Sequence, residues 1–137
     1  MIDKGEIIIY ETKDGKTSID VKMEGETVWL SQGQIADLFQ RERSVITKHI
    51  NNIFREGELD EKSNVHFLHI PNSDKPSKIY NLDVIISVGY RVKSQQETQF
   101  RIWANSILKK YLLQGFVVNE RSTAEQLTNL KSMVKIL

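Results

Sequence analysis

Ser44, Lys48, Asn51 and Arg55 follow one another at intervals of four, three and four residues in the stretch RERSVITKHINNIFREG (41–57). At about 100° per residue, that spacing puts all four on one face of a helix. A hydroxyl, an ammonium, an amide and a guanidinium on one face are the groups that hydrogen-bond phosphate oxygens and base edges. Thr47 borders this set. Arg41 and Arg43 lie at the N-terminal end of the same helix, the end that usually enters the major groove. Val45, Ile46, Ile50, Ile53 and Phe54 form the apolar stripe that would turn the other side inward. The chemistry on offer is recognition of a polyanion.

A second helix must hold that one in place. SQGQIADLF (31–39) supplies it, with Ser31 as the cap and Ile35, Ala36, Leu38 and Phe39 as the apolar face. Helix, tight turn, helix is the helix-turn-helix motif. It needs a small residue where the helices cross, and Ala36 is there. It needs a branched residue facing back, and Ile46 is there. Its turn often begins with Gly, and here Gln40 takes that place. Glu42 suits the positive end of the second helix dipole, and Gly57 suits a left-handed C-terminal residue. An ordinary helical hairpin that only packs would show the same stripe.

Two β-like runs follow, NVHFLHI (64–70) and SKIY (77–80), joined by the turn-rich PNSDKP. They read as a hairpin placed as a wing, with Lys75 and Lys78 near an exposed tip and within reach of phosphates. Ahead of the helices, EIIIYE, TSIDVKME and GETVWL read as three short antiparallel strands over 5–30. Asp14-Gly15 is a two-residue hairpin signal between the first two. After the wing, Asn81 caps a helix over about 82–92, although VIISV also suits a strand. A long amphipathic helix runs from Gln95 to about Leu113, with Gly115 as its stop. STAEQLTNLKSMVKIL then opens a new helical pattern without closing it, as a truncated chain or a segment that pairs with another chain would.

The expected fold class is therefore α+β. A small N-terminal antiparallel sheet (1–30) precedes a winged helix-turn-helix-like core (31–81). Helices over 82–122 pack on that core, and 123–137 begins a further helical segment.

The bulk properties fit. The chain has 137 residues, 39% hydrophobic and 27% charged, with net charge +1 and no Cys. One compact domain, or two very small ones, fits that length. Charge is uneven: residues 1–30 balance to −3, 40–55 to +3 and 91–110 to +4. Basic regions in a neutral chain suit local contact with a polyanion, although solvated helix faces look the same. Without Cys there is no disulfide framework and no thiolate metal site. No apolar run is long enough to span a bilayer, and the N-terminus lacks a signal-peptide pattern. These features imply a cytoplasmic protein. His49, His66 and His69 have no zinc-site spacing, and no nucleophile elbow or Gly-rich phosphate loop is present. No enzyme activity, metal or small-molecule cofactor is expected.

Three segments also resemble a known family. VWLSQGQIADLFQRERSVITKHINNIFREGEL (28–59), KIYNLDVIISVGYRVKS (78–94) and QFRIWANSILKKYLLQGFVVNERS (99–122) are similar to the N-terminal region of the RhuM-type bacterial virulence proteins. QFRIWANSILKKYL also resembles, more faintly, the N-terminal domain of phage antirepressors. The first resemblance implies a bacterial DNA-binding protein of pathogenicity and other mobile islands, and members usually have a longer helical C-terminal region. Neither resemblance brings a catalytic residue set. Two functions stand: a sequence-specific regulator that binds double-stranded DNA, expected as a homodimer, and a protein-interaction module in which the helical hairpin is scaffold.

Overall fold

Local signals set the element boundaries. The computed structural model describes residues 6–68 and 75–122. Strand β1 (Glu6–Glu11) and strand β2 (Ser18–Glu24) pair antiparallel, from Glu6 opposite Met23 to Glu11 opposite Ser18. The loop between them is four residues long, not two. The Thr12 N–H donates to the Thr17 carbonyl at 3.0 Å, which leaves 13–16 as the turn. The Asp14 carboxylate explains the difference. It accepts from the Thr12 hydroxyl at 2.6 Å and the Lys16 N–H at 2.9 Å, and Gly15 takes φ +71°. The two-residue turn comes next. Gly25 (φ +60°) and Glu26 (φ +65°) join β2 to β3 (Thr27–Ser31), in the mirror-image turn whose twist matches the strands.

Ser31 ends β3 and caps helix α1 (Gln32–Phe39). Its hydroxyl accepts from the Gln34 N–H, while the Gln34 side chain accepts from the Ser31 N–H, a complete capping box. Helix α2 (Arg43–Arg55) follows after three residues, and Gly57 beyond it has φ +77°, as expected of a left-handed terminator. A four-residue helix α3 (Glu61–Asn64), absent from the sequence reading, starts where Asp60 accepts from the Ser63 N–H. Strand β4 (Val65–Leu68) and strand β5 (Ser77–Asn81) then form the expected hairpin, whose tip at 69–74 lies outside the described residues. Asn81 caps helix α4 (Leu82–Arg91) by accepting from the Val84 N–H at 3.3 Å, so VIISV is helical.

The last helix corrects an expectation. Helix α5 runs Gln96–Ser122 and passes through Gly115. A glycine inside a helix costs about 1 kcal/mol relative to Ala, too little to end it without a left-handed turn or a proline. The segment 123–137, read as the start of another helix, lies outside the described residues.

The five strands form one antiparallel sheet in the order β1-β2-β3-β5-β4. The N-terminal strands and the later hairpin are thus joined, through Trp29 opposite Asn81, Leu30 opposite Tyr80 and Ser31 opposite Ile79. One face carries Val21, Met23, Val28, Leu30 and Tyr80 into a core with Ile35, Leu38, Phe39, Ile46, Ile53, Ile85, Val88 and Phe100. Trp29 points the other way, stacked on His66 with ring centroids 4.1 Å apart, and its indole N–H donates to the Glu24 carbonyl.

Candidate nucleic-acid interface

Two neighbouring helices determine what α2 shows to solvent. Ile46, Ile50 and Ile53 are buried and fix its inner side against α1 and α4. Val45, assigned to that stripe by its spacing, is 36% exposed. It sits beyond the edge of the strip that α1 and α4 cover. The corner between α1 and α2 is left-handed at Gln40 (φ 55°, ψ 50°), so a glutamine adopts the conformation that usually selects glycine. Its side chain offsets part of that cost by donating to the Asp37 carbonyl at 2.6 Å. The backbone N–H groups of Gln40 and Arg41 both donate to the Ala36 carbonyl, closing the helix end.

With that orientation, Arg43, Ser44, Lys48, Asn51 and Arg55 are all exposed, and α2 has no acidic residue in its first turn. Thr47 is half-buried, and its hydroxyl donates to the Arg43 carbonyl at 2.9 Å, a bond within the helix. The Arg55 guanidinium donates to the Asn52 side-chain oxygen. Arg41 is placed differently from the rest. Its guanidinium donates to the Phe39 and Gln40 carbonyls at 3.1 and 3.2 Å and to the Val92 carbonyl at 3.0 Å. It ties the C-terminal ends of α1 and α4 together, where a cation meets the negative ends of two helix dipoles. On the wing, Lys75 and Lys78 are exposed, and the Lys78 ammonium lies 5.9 Å from the centre of the Phe67 ring.

Arg91 is the residue that the sequence reading missed. One of its nitrogens lies 2.9 Å from Glu56 and 2.7 Å from Glu58, both just past the C-terminal end of α2. Ser87, one turn earlier on α4, donates its hydroxyl to Glu58. The hydrogen bonds from Arg91 and then Ser87 hold the Glu58 carboxyl below its ordinary value, and the two glutamates raise Arg91. Two acidic charges next to the basic face are thereby paired away from it. The available signal was the Ser87–Arg91 spacing on one face of α4, but nothing local linked it to residues thirty positions earlier. His49 is pushed down, first by burial and then by Arg91 and Lys48, so near neutrality the face owes its charge to Lys and Arg.

The site is an exposed, basic and amide-bearing helix face held against α1 and α4. Among the described residues no cluster of three or more His, Asp or Glu could hold a metal ion, and no helix is long and apolar enough to cross a membrane. The sequence model of the Virulence protein RhuM family matches residues 63–134, over half the chain. The chain belongs to the RhuM family. No curated protein and no solved structure matches it. The matched stretch of this RhuM-family chain covers the end of α3, β4, β5, α4 and all of α5, and begins after α2.

Proposed function

We propose that this RhuM-family protein binds double-stranded DNA in a sequence-specific way, as a regulator, with α2 as its recognition helix. The observation that carries this reading is the outer face of α2. Arg43, Ser44, Lys48, Asn51 and Arg55 are all exposed there, while Ile46, Ile50 and Ile53 fix the opposite side. Two further features support it. The three-residue corner between α1 and α2 gives a helix-turn-helix connection. The strands around it, β3 before the helices and the β4–β5 hairpin after them, lie in the order β3-β5-β4, which supports a winged-helix reading.

The residues fall into three roles under this reading. Lys48, Asn51 and Ser44 face the base edges, with Asn51 suited to bidentate pairing with adenine. Arg43 and Arg55 hold phosphates at the two ends of the helix. Lys75 and Lys78 add phosphate contacts from the wing, where flexible ammonium groups bring affinity without sequence choice. Arg41 positions α2 through its carbonyl bonds.

A second reading is favoured by one observation: the family match leaves α2 outside and covers the hairpin and α4–α5. In that reading the conserved work of the family is protein interaction, and the helical hairpin is scaffold. Selection from randomised duplexes followed by titration at several salt concentrations separates the two. The DNA-binding reading expects an enriched motif and an affinity that falls steeply with salt. Absence of both supports the interaction module.

A further inference from the structure

Strand β1 is one of the two edges of the sheet, β4 being the other: among the described residues it pairs only with β2. Natural edges are usually protected by proline, lysine, a bulge or a covering element. EIIIYE has no proline, lysine or glycine, and its pairing with β2 runs unbroken over all six residues. Ile7 and Ile9 stand 61% and 63% exposed on the face away from the core.

The backbone of this edge has a definite pattern. The Thr12 N–H bonds to Thr17, in register with the β1–β2 ladder. In an antiparallel ladder hydrogen-bonded pairs alternate, so the peptide groups of Tyr10, Ile8 and Glu6 point to β2. Those of Ile7, Ile9 and Glu11 point outward, unpaired among the described residues. A two-fold related strand must match outward residues to outward residues. Glu6 therefore never lies directly opposite Glu11. Centring on Ile9 would set Ile7 against Glu11, and centring on Ile7 would carry Ile9 past the Glu6 end of the strand. Centring on Ile8 sets Ile7 against Ile9 twice and Ile8 against itself, with Glu6 beside Tyr10.

We propose that β1 pairs antiparallel with β1 of a second copy of this chain, centred on Ile8, to make one continuous ten-stranded sheet. Four isoleucines then cover one another on the outer face, and the two Ile7–Ile9 pairs make four backbone hydrogen bonds. The inner face receives the pair as well. Glu6, Ile8, Met23, Ile107, Lys110 and Tyr111 line a shallow cleft beside this edge, with an apolar floor for the second Ile8 and with Lys110 near the glutamate ends. The contact is isologous and closes at two copies. It does not depend on DNA binding.

Sedimentation equilibrium of the full chain and cysteine crosslinking test it together. The parent sediments as a dimer of 15.9 kDa chains at roughly 100 μM, and Ile7→Lys/Ile9→Lys weakens association at least about tenfold. Both positions are exposed in the single chain, so the far-UV circular dichroism spectrum stays that of the folded parent, while the melting midpoint falls only by the lost association. The chain has no cysteine of its own. Ile8→Cys therefore gives a single thiol on the two-fold axis, in a non-hydrogen-bonded pair close enough to bridge. With oxidised glutathione added as the two-electron oxidant it forms a covalent dimer, whereas Ile7→Cys, two positions out of register with itself, does not. A monomeric parent at that concentration, a dimer unchanged by the double lysine variant, or equal crosslinking at both positions overturns the proposal.

Discussion

Helices α2 and α4 lie against each other and end at the same charge cluster, yet they are built for opposite purposes. Over thirteen residues α2 buries Ile46, Ile50 and Ile53. Over ten residues α4 buries Leu82, Val84, Ile85, Ser87, Val88 and Gly89. α4 packs against the sheet, α2 and α5, and only Asp83 and Tyr90 on it are exposed. α2 has half its circumference free and fills that half with hydrogen-bonding and basic side chains. Substitutions in α4 should act on stability, whereas those on the outer face of α2 should act on binding alone.

Gly89 gives the strongest test of the first half. A Cβ there would sit 2.5 Å from the Glu97 Cγ and 3.0 Å from the Phe39 ring. Glu97 is 4% exposed and bridged to Arg101 at 3.0 Å, so it has little room to withdraw. Glycine to alanine in an open helix gains about 1 kcal/mol. Here Gly89→Ala should instead lose about 1–3 kcal/mol in denaturant unfolding. A gain would show that α4 and α5 are not closely packed at this point.

The wing comes next in size. Lys75→Glu with Lys78→Glu should weaken binding to all duplexes by a similar factor, on the order of tenfold or less at moderate salt, with the preferred sequence unchanged. A shifted preference in a selection experiment would put the wing, not only α2, among the base readers.

The smallest effect is at the cluster that joins the two helices. Glu58 has a folded pKa below its unfolded value. Its contribution is therefore complete above the unfolded value of about 4.3 and is lost as pH falls through the lower, folded one. With Glu58 and Glu56 roughly half exposed, solvent screening should keep this under about 1 kcal/mol. Comparing stability at pH 7 and pH 3 for parent and Glu58→Gln should show a smaller acid loss in the variant. An equal loss would remove the bridge from the account of stability.

How much of this was readable from sequence depends on how local each cause is. Ser31, Asn81 and Gly57 act within a turn of their own position, and the structure has each in the expected role. The Ile46, Ile50, Ile53 stripe was legible because periodicity records which side is buried. Val45 was not, because the width of the stripe depends on where the neighbouring helices stop. Asp14-Gly15 marked the turn but not its length, which the Thr12 and Lys16 bonds to Asp14 decide. Gly115 misled because a breaker residue only biases a helix end. The joining of β3 to β5 and the Arg91 bridge link residues far apart in the chain, and no local pattern encodes them. The shared exposed face of Ser44, Lys48, Asn51 and Arg55 was visible in their spacing. The engagement of Arg41 with Phe39, Gln40 and Val92 was not.

The most direct test of the central claim is duplex-DNA affinity measured against salt for the parent, Lys48→Ala and Arg55→Ala. Both side chains are exposed, so melting midpoints should stay at the parent value within about 0.5 kcal/mol of stability. Affinity should fall in both variants. Arg55→Ala should also flatten the logarithmic salt dependence by about one unit, the signature of a lost phosphate contact. Folded variants that bind duplex DNA as tightly as the parent, with the same salt slope, would contradict the assignment of α2 as the DNA-reading helix.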